Sequence, residues 1–119
     1  LVLAHHKLTK LEKKSSEAIG LPSTEWPSAH KNFHEALVNS CPSKNLLVMR
    51  ESLFKQSERY RFLASSMSSK KRNPIKEHKD LFEAAVDRNS QLASTLIIEH
   101  LNQTAKNLHE ILVDKRLAS

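Results

Sequence analysis

Four of the seven histidines in this 119-residue chain, His30, His34, His78 and His100, fall inside apolar helical stripes. His30 and His34 are four residues apart, so on a helix both imidazoles project from one face, one turn apart. His78 follows Ile75 and precedes Leu81, Phe82 and Ala85; His100 follows Leu96 and Ile97 and precedes Leu101, Thr104 and Leu108. A ring turned toward a helical core needs a partner there, because burying an unpaired polar group is costly. One divalent metal shared by rings from three helices meets that need at a single point. Hydrogen bonding in the core meets it one ring at a time, and is the plainer reading of any single histidine. Recurrence on three helices is what favours a common site.

Five helical segments are expected to position these rings. The first runs from about residue 2 to 19, with Ala4, Leu8, Leu11 and Ala18 as its stripe, and Gly20, Leu21 and Pro22 stop it. The second starts near Thr24 as N-cap, with Glu25 and Pro27 in its first turn. Its inward stripe is Trp26, His30, Phe33, Leu37 and Cys41, with His34 beside it; Pro42 ends it and Ser43 caps the next. The third covers about 44–66, with Leu46, Met49, Leu53, Tyr60, Leu63 and Met67 along one face. After a Ser-Lys-rich loop at 68–72, Asn73 caps a fourth helix with Pro74 at its first position. A tight turn at Asp87, Arg88 and Asn89 leads to a last helix over about 90–117. Short connections favour antiparallel neighbours, so the expected fold is an all-α, antiparallel helical bundle of one domain.

Composition agrees. One glycine, four prolines and few aromatic residues disfavour a sheet protein. The single cysteine, Cys41, allows no internal disulfide and suits a reducing, cytoplasmic setting; it reads as a buried, inert thiol. No apolar run approaches the roughly 20 residues of a membrane span. The net charge of +6 invites a nucleic-acid reading, but the basic residues are interleaved with acids. The one dense cluster, Lys70, Lys71 and Arg72, has no aromatic residues alternating with it as base stacking requires. It reads as a solvated loop.

The ordered set of residues resembles a known family. The segment 26–37 (WPSAHKNFHEAL), then Cys41-Pro42-Ser43, Gln56 to Arg61, the stretch 77–89 (EHKDLFEAAVDRN), Ala93 and 100–104 (HLNQT) are similar to the C-terminal effector domain, called FCD, of FadR-type GntR transcriptional regulators. The nearest likeness is to regulators of carbon starvation and of glutarate or γ-aminobutyrate metabolism, and it covers essentially the whole chain. The resemblance implies a helical bundle that dimerises, encloses a small-molecule cavity, and is joined to an N-terminal winged helix-turn-helix that binds operator DNA. It also implies a divalent metal at the cavity floor, held by one aspartate and three histidines. By position the three histidines are His34, His78 and His100, and His30 stands where the family carries aspartate. An all-imidazole set favours zinc, or nickel, over harder ions. Replacing a carboxylate by a neutral ring also removes a negative charge, which strengthens attraction for an anionic effector. Alternatively His30 does not ligate, leaving three histidines and open positions. The resemblance further implies helices and a DNA-binding domain ahead of Leu1, so this chain is expected to be part of a longer regulator.

The expected activity is ligand-gated DNA binding without catalysis: a small carboxylate or dicarboxylate meets the metal, and polar groups fix its far end. Gln56, Arg59 and Tyr60 on the third helix are the candidates, with Arg59 able to clamp a second carboxylate; a surface ion pair is its plainer role. Catalysis is disfavoured, because Glu77 is turned roughly 100° from His78 on a helix and there is no His-Glu-x-x-His, phosphate loop or nucleophile elbow. His5 and His6 are expected at surface or helix-contact positions, His109 at a stripe's edge, and Trp26 and Phe33 as core anchors. A metal-dependent enzyme and a metal-free structural dimerisation module stay open beside the sensor.

Overall fold

The computed structural model describes residues 1–17, 24–64 and 73–118. These residues form α1 (Val2–Glu17), α2 (Trp26–Val38), α3 (Lys44–Ala64), α4 (Pro74–Val86) and α5 (Ser90–Ala118), with no strand among them. The fold is an all-α helical bundle. Ala18, the stop at 20–22, Met67 and the Ser-Lys-rich loop at 68–72 with its basic cluster lie outside the described residues. Among the described residues, no helix is long and apolar enough to cross a membrane.

Local chemistry sets the helix ends. The Asn73 side chain accepts from the Lys76 backbone N–H at 3.1 Å, with Pro74 following in the first turn. Asn89 and Ser43 cap α5 and α3 in the same way, accepting from Leu92 N–H at 3.1 Å and Leu46 N–H at 3.3 Å. α2 departs from expectation at both ends. Glu25, not Thr24, holds the N-cap position, in helical conformation and without a side-chain cap bond. The helix ends at Val38, before Cys41, so that cysteine is half-buried in the connection instead of sealed in the stripe.

α4 ends in a Schellman motif. Arg88 N–H donates to Ala85 O at 3.1 Å and Asn89 N–H to Ala84 O at 3.0 Å. Arg88 takes the left-handed conformation (φ 55°) that usually falls to glycine. This tight reversal sends α5 back along α4, so His78 and His100, at similar distances either side of it, face one another.

α1 packs on α2 and α4, α4 on α5, and α5 on α3. The apolar core joins Leu8, Ala29, Phe33 and Leu81, with Leu1, Ala4, Leu11, Trp26, Leu37, Phe82, Leu96 and Ile97 around it. Phe33 is a core anchor as expected, and His5 is a helix-contact residue, its ring stacked on Phe82 at 4.2 Å. α3 is turned opposite to its expected phase. Leu46, Met49, Leu53 and Tyr60 are 49–64% exposed. Leu47, Arg50, Phe54, Glu58 and Arg61 occupy its half-buried side. On that side α3 faces His30 and His34, with the Phe54 ring 5.8 Å from both, and its aliphatic stripe is left outside.

Candidate metal and effector site

His30 and His34 from α2, His78 from α4 and His100 from α5 are all buried. One ring nitrogen from each lies within 4.8 Å of the others. The rings pack edge-on or stacked, with centroids 4.6 Å apart for His30–His34, 5.0 Å for His78–His100 and 5.2 Å for His34–His100. Trp26 stacks on His30 at 4.4 Å, so it covers the cluster as well as joining the core. Zinc–nitrogen bonds of about 2.0–2.1 Å require the nitrogens to draw together by roughly an ångström, a modest side-chain adjustment.

Two carboxylates orient the cluster from outside. His78 Nδ1 lies 3.0 Å from Glu12 Oε1 and His100 Nδ1 lies 2.9 Å from Glu77 Oε1. A carboxylate that is ionised only accepts, so beside it Nδ1 carries the hydrogen, and in the neutral form of such a ring Nε2 presents a lone pair. The Nε2 atoms of His34 and His78 are buried without a hydrogen-bond partner. Buried nitrogens in that condition are rare in a native interior and suit a metal's donor set.

Electrostatics keep the two α2 rings ready to ligate. Burial first, then the neighbouring His78, His100, Arg61 and Arg50, push His34 down to about 2. Burial and the nearby His34, Arg61, His78 and His100 hold His30 well below its ordinary value. Neutral imidazole is the ligating form. On the α3 side, Phe54 lies 5.8 Å from both His30 and His34, with the Arg61 guanidinium 4.5 Å and the Arg50 guanidinium 5.1 Å from its ring centre. An Arg61 Nη atom is buried without a hydrogen-bond partner, and burial lowers this residue's pKa against the opposing pull of Glu58. A groove of about 490 Å³, lined by Glu77, Glu99, His100, Asn102, Gln103 and Lys106, opens beside His100.

Residues 4–103 match the family model of the FCD domain. The chain belongs to the FCD family. Over 104 residues this FCD chain is 28% identical to the uncharacterized HTH-type transcriptional regulator BphR of Paraburkholderia xenovorans (strain LB400), covering 87% of this chain and 42% of that protein. It is 37% identical over 103 residues to the HTH-type transcriptional repressor GlaR of Escherichia coli (strain K12), covering 81% and 44%. It therefore spans less than half the length of either relative. No solved structure matches it. Both relatives are named as regulators of transcription, neither as an enzyme.

The FCD fold thus brings together the four histidines singled out by sequence. It does not bring Gln56, Arg59 and Tyr60 to them. All three are exposed, and the Gln56 amide instead reaches Ser52 Oγ at 3.5 Å. The helix phase that exposes Leu53 and Tyr60 carries Phe54 and Arg61 inward. Sequence reasoning missed Glu12, Glu77, Arg50 and Arg61. Glu12 had a readable signal, since it lies four residues after Leu8 and so interrupts an inward stripe with a charge. Glu77 is indeed turned away from His78, and that turn aims it at His100.

Proposed function

We propose that this FCD domain is the effector-sensing and dimerisation domain of a cytoplasmic GntR-type regulator of the FadR subfamily, whose winged helix-turn-helix binds operator DNA. The observation that carries it is four buried imidazoles from three helices gathered within 4.8 Å of one another. His30, His34, His78 and His100 would hold one divalent metal, zinc or nickel by the donor set. Bound there, the metal supplies a cationic seat for an effector carboxylate. Arg61, whose buried Nη lacks a partner, donates to the effector's second carboxylate, with Arg50 adding positive potential. The effector class is therefore a small dicarboxylate.

The dimer partner is a second copy of this chain, seated on the outer face of α3. Leu46, Met49, Leu53, Gln56 and Tyr60 follow a 3-4 spacing, the seam of a helix that pairs with another. Gln56 and Tyr60 are exposed on this face with Arg59 on its flank, which supports a place for them in the seam. One helix thus carries Arg61 inward and the seam outward. An effector that draws on Arg61 biases the placement of α3, and through it the two copies, by its differential affinity for the two arrangements.

Metal analysis of the purified protein tests the reading. About one equivalent of zinc or nickel per chain is expected, falling sharply in His78→Ala, and a content below about 0.2 equivalents counts against the site. Thermal-shift screening against dicarboxylates, with and without chelator, then tests the effector. Product formation from any of them would favour a metal-dependent enzyme instead.

A further inference from the structure

We infer that Glu12 and Glu77 are positioning residues of the metal centre, each fixing one histidine's tautomer and turning its Nε2 toward the shared point. The inference rests on the metal reading above. His78 is oriented from α1, which supplies no histidine to the cluster, and His100 is oriented from α4, through bonds of 3.0 and 2.9 Å. Such carboxylate–histidine pairs hold ring orientation and raise ligand basicity.

Charge gives a second, independent argument. Four neutral rings leave a dication uncompensated in its own coordination sphere. Glu12 and Glu77, whose side chains are 4% and 27% exposed, place two negative charges one imidazole away. Glu12 is the more telling of the two. It is sealed, its Oε1 meets a ring nitrogen and no other polar group among the described residues, and its Oε2 is buried without a hydrogen-bond partner. A buried carboxylate so poorly satisfied is costly by itself, and a dication on the far side of His78 offsets that cost. The pairs are inequivalent: Glu12 is closed off, whereas Glu77 lines the groove beside His100.

Glu12→Gln and Glu77→Gln remove the charge while an amide oxygen still accepts the Nδ1 hydrogen, and Glu12→Ala and Glu77→Ala remove the bond as well, so the two sets separate charge from positioning. Zinc affinity is read by competition with a chromophoric chelator, and the geometry by the visible spectrum of the cobalt-substituted protein. Each variant should bind zinc roughly 10- to 100-fold more weakly, with an altered cobalt spectrum. Glu99→Gln, in the same groove but not bonded to a ring, should match the wild type. Adding Glu77→Ala to His100→Ala should cost less affinity than Glu77→Ala costs alone, because the bond to the ring is already gone; a full further loss overturns the positioning role and leaves charge alone. Should Glu12→Gln fail to fold, Glu77→Gln decides. Wild-type protein that binds no zinc refutes the metal reading itself. Wild type that binds, with a variant binding as tightly, leaves that reading standing and removes that glutamate from the role.

Discussion

Removing the metal should lower the melting temperature by a predictable amount. Zinc that binds the folded chain and not the unfolded one stabilises it by RT ln(1 + [Zn]/Kd), about 2.7 kcal/mol at a free concentration near 100 Kd. A domain of this size moves by about 4 °C per kcal/mol, so chelation should lower the midpoint by roughly 11 °C. The companion variant is best chosen by what it strands. His78→Ala would leave Glu12 buried without its ring, a broken buried pair of about 3–5 kcal/mol with or without zinc. Among the described residues no carboxylate bonds to His34, and its Nε2 has no hydrogen-bond partner, so His34→Ala removes one proposed ligand without orphaning a charge. In that variant most of the zinc-dependent increment should vanish. The assay is thermal unfolding followed by circular dichroism, with zinc or with chelator. A wild type indifferent to saturating zinc, or a His34→Ala protein that keeps the full increment, refutes the reasoning.

Three further outcomes are expected. In metal-free protein, His30 and His34 stay neutral while the same rings in the unfolded chain take up protons below about pH 6.5. The unfolded state then binds more protons, so stability falls with falling pH by up to about 1.4 kcal/mol per unit for each ring, and a urea midpoint unchanged between about pH 7.5 and 5.5 would exclude this. Leu53→Lys should shift the protein toward monomer in light scattering while leaving its helicity intact, since Leu53 is the most exposed aliphatic residue of the α3 seam; an unchanged mass would place the dimer contact elsewhere. Arg61→Ala should abolish dicarboxylate-dependent thermal stabilisation at unchanged zinc content, whereas Arg59→Ala should leave it within about twofold, and the reverse pattern would restore Arg59 to the pocket.

Capping chemistry made most helix starts legible in the sequence, because Asn73-Pro74, Asn89 and Ser43 act within one turn of themselves. The histidine cluster was legible for a related reason: each ring sits at a fixed phase within its own apolar stripe, and three inward phases must meet. The orientation of α3 was not. A 3-4 apolar stripe reads identically whether it faces its own core or a second chain, and only the tertiary surroundings distinguish the two. The inward turn of Arg61, two residues after Arg59, was hidden by the same ambiguity. The start of α2 was misplaced because Thr24 offers a better cap than Glu25 on local grounds alone, and the helix forms without one.

The interior itself argues for a centre that responds to what fills it. Among the described residues the buried apolar side chains are Leu8, Ala29, Phe33, Leu81, Ala84 and Ile111, two of them alanines, against Glu12 and four histidines. Hydrophobic burial of that extent holds α1, α2 and α4 together, since Leu8, Ala29, Phe33 and Leu81 form one cluster among them. It does little at the meeting of α3 with α2 and α5, where Phe54, Arg50 and Arg61 face imidazoles. Two like-charged guanidiniums beside neutral rings attract weakly until an anion lies between them and the histidines. The anionic effector proposed above would add cohesion on that side, while the opposite side is fixed by packing. If the proposed effector and dimer hold, a domain packed firmly on one flank, with its exposed aliphatic stripe on the other, would convert occupancy into a change between subunits.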